Sequence, residues 1–588
     1  MSIPKSLAVT ASLFFFAGIL LPQIQNEADD GQWPMAAKNP ASTRYSSLSE
    51  INTQNVKNLK LAWTFSTGLT RGHESAPLVV NNTMYILTPW PNILYALDLT
   101  NPGATKWTYS PNPSASSKGT ACCDVVNRGA VYYKGKIYYN TLDNYTVAVD
   151  ATTGKQVWKT LMGDINKGES MTMAPIVAGD KVIVGNSGGE FGVHGWLAGL
   201  ETETGLITWR AYSTGPDSQV LIGPNFKPFY AEDRGKDLGV KTWQGDQWKI
   251  GGGAAWGWIS YDPSLDLIYY GTSNASPWNA DMRPGDNKWT SSLFARKPET
   301  GEAVWAYQMN PHDNHDYDGV NENILLDLTV HGQQRKVLAH PDRNGRMYLM
   351  DRTTGEVLSA ETFAFVNTSE SVDLKTGKLN VVDSKKTGFK TVRDLCPAPP
   401  GGKDWSPSSF SPRTGLIYLP YNNLCAEMSG TQANYIAGTP YLGTDVRMYA
   451  GPGGTRGGIE AWDPVAAKAV WSVKEMFPAW SGTAVTAGDV VFYGTMDGWF
   501  KALDAHNGTL LWKFKVGSGV IGQPISYKGP DGKQYIAIVA GVGGWSGAIV
   551  SGGLNPADGT AALGFVNAMA DLPKYTTTGG MLYVFSLP

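Results

Sequence analysis

The stretch Asp150-Ala-Thr-Thr-Gly154-Lys-Gln-Val-Trp158 decides the fold of this 588-residue chain, because it recurs along the sequence. In each copy an alternating strand ends, a turn containing glycine reverses the chain, and a second strand carries a tryptophan. Clear copies end at Trp209, Trp305 and Trp512, looser copies end at Trp107 and Trp471, and a degenerate copy lacking the tryptophan spans 351–358. The spacing fits one unit per about 40 to 55 residues, or about eight units.

A repeat of this length made of strands predicts an all-β fold, an eight-bladed β-propeller with tryptophan docking between neighbouring blades. High counts of glycine (68), tryptophan (21) and tyrosine (27) suit strands joined by glycine turns. We expect one domain over residues 29–588, closed by pairing of a strand at 59–65 with a strand at 581–586. The tryptophans are predicted to be packing residues rather than chemical ones.

The first residues are typical of an export signal. After Lys5 an uncharged, mostly apolar run extends from Leu7 to Leu21, which is too short to span a bilayer but suits a signal peptide. We predict a signal peptide over residues 1–28, with Ala28 as the candidate cleavage position and an uncleaved anchor as the alternative. The net charge of −3, without a basic run, argues against nucleic acid as a partner.

Two of the four cysteines, Cys122 and Cys123, are adjacent. Their Cα atoms lie about 3.8 Å apart, below the usual disulfide range of about 4.4–6.8 Å, so a bond between them closes a strained ring. Two free thiols are the ordinary interpretation, but an oxidising compartment weakens it. The same compartment favours a Cys396–Cys425 disulfide, which would stabilise the fold by about 3–4 kcal/mol.

The repeat, the vicinal cysteines and the segment from Trp33 to Ser46 together resemble the pyrroloquinoline quinone (PQQ) dependent alcohol dehydrogenases, and most of all the large subunit of methanol dehydrogenase. The resemblance covers essentially the whole chain after the signal. It implies that a Cys122–Cys123 disulfide packs on one face of the flat quinone and Trp256 on the other. The other quinone contacts that it implies by motif are Glu74, Arg128, Thr172, Ser187, Gly188, Gly189, Arg343 and, in a more variable loop, Asp404.

The same resemblance implies a metal site at Glu190, Asn274 and Asp316, with Asp316 also the catalytic aspartate. These are hard oxygen donors, which argue for a calcium-like ion and against zinc or copper. Asp318 lies two residues further on, and in an extended segment it would face the same side as Asp316. In this family an aspartate at this position marks the lanthanide-dependent branch. The calcium-dependent enzymes typically have a small residue at the same position. Three protein carboxylates plus one from the quinone leave less unbalanced charge around a trivalent ion.

The resemblance also implies a mechanism and partners. The ion would polarise the quinone carbonyl, and Asp316 would take the alcohol proton as hydride leaves the substrate carbon. Arg343 would hydrogen-bond both the quinone oxygen and Asp316. We expect periplasmic oxidation of methanol and other short primary alcohols to the aldehyde, a soluble c-type cytochrome as acceptor, and a homodimer. Trp545 is expected to lie near the mouth of the substrate pocket. His312 and His315 are expected to be packing or polar loop residues. For Asp318 the alternative is a solvated loop residue. For the function the alternatives are a calcium-dependent ethanol or alcohol dehydrogenase and a non-catalytic propeller scaffold.

Overall fold

A computed structural model of the protein describes residues 31–121, 123–555, 558 and 560–588. The predicted signal peptide, 1–28, lies outside these residues. The helices are short: the α-helices of the described chain are Asp217–Val220, Leu238–Lys241, Gly544–Val550 and Phe565–Met569. Its 3₁₀ helices are Val56–Asn58, Ala115–Gly119, Ile165–Lys167, Gly189–Phe191, Ala231–Asp233, Gln247–Ile250, Ala280–Met282, Asp383–Lys385 and Leu572–Lys574. Among the helices described, none has the length and apolar character needed to cross a membrane.

Strands form the body of the molecule. The described residues contain eight antiparallel sheets of four consecutive strands in space, one of them extended by a fifth strand. In chain order their strands are Leu78–Val80, Thr83–Leu87, Leu94–Asp98 and Ala104–Tyr109; Ala130–Tyr133, Lys136–Asn140, Tyr145–Asp150 and Gln156–Leu161; Ile176–Ala178, Lys181–Gly185, Trp196–Glu201 and Ile207–Tyr212; Ile259–Asp262, Leu267–Gly271, Ser292–Arg296 and Ala303–Gln308; Ile324–Val330, Gln333–Pro341, Arg346–Asp351 and Val357–Thr362; Ser409–Ser411, Leu416–Asn422, Gly457–Asp463 and Lys468–Glu475; Ala484–Thr486, Val490–Gly494, Trp499–Asp504 and Leu510–Lys515; and Ile525–Lys528, Gln534–Ala540, Met581–Ser586 and Lys60–Ser66. We number these sheets one to eight in this order.

The burial pattern shows which strands of each sheet are covered by neighbouring parts of the molecule. Second strands such as Val490–Gly494 are buried at every position, as expected for strands covered on both faces. Some fourth strands, such as Lys468–Glu475, consist of exposed and partly buried positions, so these strands lie at the outside. The fourth strand of sheet four, Ala303–Gln308, is by contrast almost entirely buried.

The closure of the fold is as predicted. Lys60–Ser66, near the start of the described chain, pairs antiparallel with Met581–Ser586, so that sheet eight contains strands from both ends. Tyr45–Ser46 adds a parallel fifth strand to sheet seven. Two smaller sheets lie outside these eight: three of their strands fall in the connection from sheet five to sheet six, and the other two fall between the second and third strands of sheet six. They consist of Ser369–Asp373 with Lys378–Val381, and of Thr391–Leu395, Leu424–Gly430 and Thr444–Ala450.

The repeated tryptophans contact the turn of the following repeat. Trp158 of sheet two donates its indole N–H to the Thr202 carbonyl of sheet three, 2.9 Å away. A Cβ on Gly205, in the same turn, would lie 2.6 Å from the Trp158 ring. The same pair of contacts recurs at Trp107 with Gly154, Trp209 with Gly301, Trp305 with Gly355 and Trp471 with Gly508. The glycine of each turn thus leaves room for the ring of the previous sheet.

The topology places the predicted site residues at one end of the sheets. Because adjacent strands are antiparallel, the segment that enters a first strand and the loop that follows a second strand lie at the same end. Segments entering first strands carry Glu74, Arg128, Thr172, Trp256, Asp316, Asp318 and Asp404. Loops following second strands carry Ser187 to Glu190, Asn274, Arg343 and Trp545. Residues far apart in sequence therefore meet at this end.

The Cys396–Cys425 disulfide is present, which confirms that prediction. It joins the smaller three-stranded sheet to the segment leading to Asp404. Cys122, and with it the predicted Cys122–Cys123 pair, lies outside the described residues.

Candidate active site

A cavity lies at the end of the sheets where these loops meet, with about 730 Å³ of empty space when the open solvent at its mouth is included. The predicted residues that line it are Glu74, Cys123, Arg128, Thr172, Ser187, Gly188, Glu190, Trp256, Asp316, Arg343 and Asp404. Three other predicted residues, Gly189, Asn274 and Asp318, are not in its lining. Asp318 still contacts the wall, because the Trp256 indole N–H donates to its Oδ2 at 3.1 Å.

One side of the cavity is built from a chain of polar contacts across sheets one, two and three. The guanidinium of Arg128 forms an ion pair with Glu74 at 3.1 Å and donates to the Thr172 hydroxyl at 2.7 Å. The Thr172 hydroxyl also hydrogen-bonds the Ser187 hydroxyl at 2.8 Å. The four side chains come from four different loops, so these contacts hold the four loops together around the cavity.

The opposite side is organised by Arg343. Its Nη1 lies 3.1 Å from Asp316 Oδ2 and 3.3 Å from Asp318 Oδ2, and its Nη2 lies 2.7 Å from Asp404 Oδ1. One guanidinium therefore faces three carboxylates from sheets five and six. Arg343 and Arg128 also lie over the Trp256 ring, with their Cζ atoms 5.3 and 4.6 Å from its centroid.

The loops that carry Glu190 and Asn274 are joined by hydrogen bonds between side chains and backbone groups. The Ser276 hydroxyl donates to the Gly189 carbonyl, and the Asn274 N–H donates to Asp318 Oδ1. Gly188 makes the turn before Glu190 possible: its φ is +117°, and a Cβ there would lie 2.4 Å from the Gly168 carbonyl oxygen. The loops that carry Glu190, Asn274 and Asp318 are thus joined.

Burial dominates the electrostatics of the acidic side. It raises the pKa of Asp316 well above its ordinary value, and although Arg343 opposes the shift, Asp318 and Glu190 add to it. Burial likewise raises the pKa of Asp318 to about 7 and that of Glu190 above its ordinary value. Burial lowers the pKa of Arg343, but Asp404, Asp318 and Asp316 together outweigh it and raise that pKa. These carboxylates repel one another, and only part of that repulsion is relieved by Arg343.

The polar atoms left without partners test whether a cation and a quinone fit. Among the described residues, buried Asp316 Oδ1 has no hydrogen-bond partner, and the same holds for Nε of Arg343. An unpaired carboxylate oxygen beside other acids fits a hard cation, and an unpaired guanidinium N–H group fits an acidic group of a quinone cofactor. No three His, Cys, Asp or Glu side chains within the described ranges already converge into a metal cluster. The proposed ligand set therefore stays a prediction, supported by donor chemistry and unbalanced charge.

Aromatic residues that the sequence reasoning did not select complete the walls. Trp405 and Trp480 line the cavity together with Trp545, the residue predicted near its mouth. Trp480 stacks on Phe565, with ring centroids 5.0 Å apart and planes 6° apart. Trp405 and Trp480 stand shortly before the first strands of sheets six and seven, the position at which other sheets carry site residues. That position was the signal that could have identified them.

Asp124 also lines the cavity and was missed. Its Oδ2 accepts the Gly544 N–H at 3.1 Å, which ties the segment after Cys123 to the helix containing Trp545. By contrast, His312 and His315 have the polar loop role that was expected. Their Nε2 atoms hydrogen-bond the carbonyls of Ala280 and Lys385, at 3.1 and 2.8 Å.

The fold and site define a class: the chain belongs to the PQQ-dependent dehydrogenases. The family model for the glucose, ethanol and alcohol dehydrogenase β-propeller domain matches residues 33–370 and 448–536. The chain is 52% identical to a lanthanide-dependent methanol dehydrogenase of Methylacidiphilum fumariolicum, over 96% of this chain and 94% of that protein. It is 45% identical to methanol dehydrogenase [cytochrome c] subunit 1 of Methylobacterium organophilum, over 96% and 92%. A solved europium-containing methanol dehydrogenase matches with a TM-score of 0.94 and 51% identity, over 95% of this chain and 99% of that one.

Proposed function

We propose that this protein oxidises methanol and other short primary alcohols to the aldehyde, with PQQ as the electron acceptor and a lanthanide(III) ion as Lewis acid. One observation carries the proposal: Asp316 lies beside Asp318 and Arg343 against the cavity, with one oxygen unpaired. The names of the similar proteins, which specify lanthanide, europium and methanol, support it.

Asp316 is the general base of the proposed reaction. Arg343 engages Asp316 Oδ2, which leaves Oδ1 to take the proton of the alcohol hydroxyl. Arg343 stays protonated, fixes the carboxylate and adds positive charge where negative charge develops.

The other predicted residues hold the two bound groups. Glu190, Asn274, Asp316 and Asp318 would hold the ion. Cys122 with Cys123 and Trp256 would form the two walls around the quinone, with polar contacts from Glu74, Arg128, Thr172, Ser187, Gly188, Gly189, Arg343 and Asp404. When bound, PQQ supplies the two-electron acceptor and the ion polarises its carbonyl oxygen.

The indoles at the cavity support the proposed preference for small alcohols. Trp480 and Trp545 lie with ring centroids 6.3 Å apart, and Phe565 fills the space behind both rings. Such stacked rings are difficult to displace, because each removed contact costs packing energy. A one- or two-carbon chain suits this wall better than a long chain.

The electron acceptor and location follow the same reasoning. We propose that electrons pass to a soluble c-type cytochrome, that the enzyme works in the periplasm after removal of 1–28, and that it is a homodimer. The name of the Methylobacterium organophilum relative, which specifies cytochrome c, supports the acceptor. Reduction of purified cytochrome c by the alcohol-supplied enzyme, together with sedimentation of the enzyme, tests the acceptor and the dimer.

The decisive experiment is dye-linked methanol oxidation by metal-free protein reconstituted with PQQ and then with lanthanum or calcium. We expect activity with lanthanum in the wild type and its loss in Asp318→Ala, which removes one carboxylate and with it part of the charge that favours a trivalent ion. Glu460→Gln is the matched control, because Glu460 is a buried carboxylate outside the cavity lining, and this variant should keep the lanthanum activity.

Each result separates the candidate functions. Equal or higher activity with calcium would favour the calcium-dependent dehydrogenase. Wild-type protein that takes up PQQ and oxidises no alcohol with either ion would overturn the proposal, and failure to take up PQQ would favour a scaffold.

A further inference from the structure

Asp316 has a backbone conformation that its loop must stabilise. Its φ is +69°, in the left-handed region that residues other than glycine adopt at a cost. The conformation sets the direction of the Asp316 carboxylate. The question is therefore which groups hold the backbone there.

The carboxylate of Asp313 accepts from the backbone on the C-terminal side of the loop. Asp313 Oδ2 accepts the Asp316 N–H at 3.1 Å, and Oδ1 accepts the N–H groups of Tyr317 at 3.2 Å and His315 at 3.4 Å. Asp313 is 4% exposed, so water competes little for these bonds. One side chain thus folds the loop around itself and fixes the Asp316 amide.

Arg283 holds the loop from the other side. Its Nη2 donates to the Asp313 carbonyl, and its Nε donates to the Pro277 carbonyl at 2.6 Å. Its Nη1 donates to Asn287 Oδ1 at 2.7 Å, and the side chain is fully buried. Pro277 lies three residues after Asn274. Arg283 therefore ties the Asn274 loop to the Asp316 loop.

We propose that Asp313 and Arg283 are positioning residues for the reaction: Asp313 holds Asp316 in its left-handed conformation, and Arg283 fixes the distance between the Asn274 and Asp316 loops. Both lie outside the cavity lining and act through Asp316 and Asn274. The inference rests on the proposed function for its catalytic consequence, and on the proposed ligand set for its effect on cation binding.

Asp313→Asn tests the inference at one atom. In one orientation the amide oxygen still accepts from the Tyr317 and His315 N–H groups, while the N–H₂ group faces the Asp316 N–H and removes its acceptor. In the flipped orientation the Asp316 N–H keeps its acceptor, and the Tyr317 and His315 N–H groups lose theirs. We expect kcat for methanol to fall about 10-fold or more with KM changed less than about 3-fold, as when a positioned group is lost. Terbium(III), titrated into the metal-free full-length protein and followed by luminescence sensitised by the tryptophans, should bind about 10-fold more weakly.

Two further variants keep the test decisive. Asp262→Asn is the control, because Asp262 is also buried and accepts loop N–H groups, those of Ser264 and Leu265, but is not part of the cavity lining. It should lower the melting temperature without changing kcat or terbium affinity. Arg283→Lys, which keeps the charge and loses the fork, replaces Asp313→Asn if that variant does not fold.

The outcomes are distinct. Wild-type kcat and terbium affinity in Asp313→Asn, or equal losses in Asp262→Asn, would overturn the positioning role. Wild-type protein that binds terbium tightly and oxidises no alcohol would overturn the proposed function, while the terbium comparison between variants would still test the positioning role.

Discussion

Replacing Arg343 by lysine tests whether the two ends of one guanidinium must hold two acids at once. Nη1 lies 3.1 Å from Asp316 Oδ2, and Nη2 lies 2.7 Å from Asp404 Oδ1. Lysine keeps the charge but has a single ammonium group, which cannot reproduce this fork. Arg343→Lys therefore loses at least one hydrogen bond to a charged group, which contributes about 1.5–3 kcal/mol. If that bond orients Asp316 in the transition state, kcat falls by about 10- to 150-fold.

The assay is steady-state methanol oxidation by enzyme loaded with PQQ and lanthanum, with kcat and KM determined separately. Arg352→Lys is the control: Arg352 is fully buried and lies 2.7 Å from Asp262 and 2.8 Å from Asp327, away from the cavity lining. It should lose comparable stability and keep its kcat. Arg343→Lys with a kcat within about 3-fold of the wild type, or an equal loss in Arg352→Lys, would refute the reasoning.

Two further predictions concern stability. Burial raises the pKa of Glu460 to about 8 from an ordinary value of 4.5, so its contribution is fully present below pH 4.5 and is lost as the pH rises through 8. Glu460→Gln should therefore unfold in denaturant much like the wild type at pH 5 but be more stable by about 4 kcal/mol at pH 9, and parallel pH profiles would contradict this. Gly508→Ala places a Cβ 2.7 Å from the Trp471 ring, and Gly415→Ala, at a similar φ of +71°, meets nothing within 4 Å. Thermal unfolding should show Gly508→Ala less stable than Gly415→Ala by about 1–3 kcal/mol, and equal melting temperatures would mean that the ring contact is unimportant.

The sequence was sufficient for the fold because each repeat carries its own contact with the next. The turn before Trp158 contains the glycine that receives Trp107, so local turn chemistry and long-range packing involve the same few residues. The closing pair, Lys60–Ser66 with Met581–Ser586, follows from the need to complete the outer strand of the eighth sheet. A pattern that is both local and repeated is readable without coordinates.

The site was predictable where a motif surrounds the residue, and not where the contact depends on loop geometry. Arg343 and Asp316 stand in recognisable motifs, but nothing near Arg283 in the sequence indicates that it reaches the Asp313 carbonyl 30 residues away. The two smaller sheets, whose strands lie between sheets five and six and within sheet six, were missed for the same reason. Their strands lack the tryptophan repeat and belong to long insertions.

Charge at the cavity links the arrangement of Arg343 to the choice of ion. Arg343 brings one positive charge to this acidic set, since it contacts Asp316 and Asp318. Its shortest contact, however, is with Asp404, which offsets its charge. Glu190, Asp316 and Asp318 then remain with three negative charges in a buried site, and burial raises the pKa of each of them. A trivalent ion neutralises this set, whereas a divalent ion leaves one buried charge, before any acidic group of a bound cofactor is counted. Asp404 thus contributes to the preference for a trivalent ion that we propose, and Asp404→Asn should narrow the difference in affinity between terbium(III) and calcium.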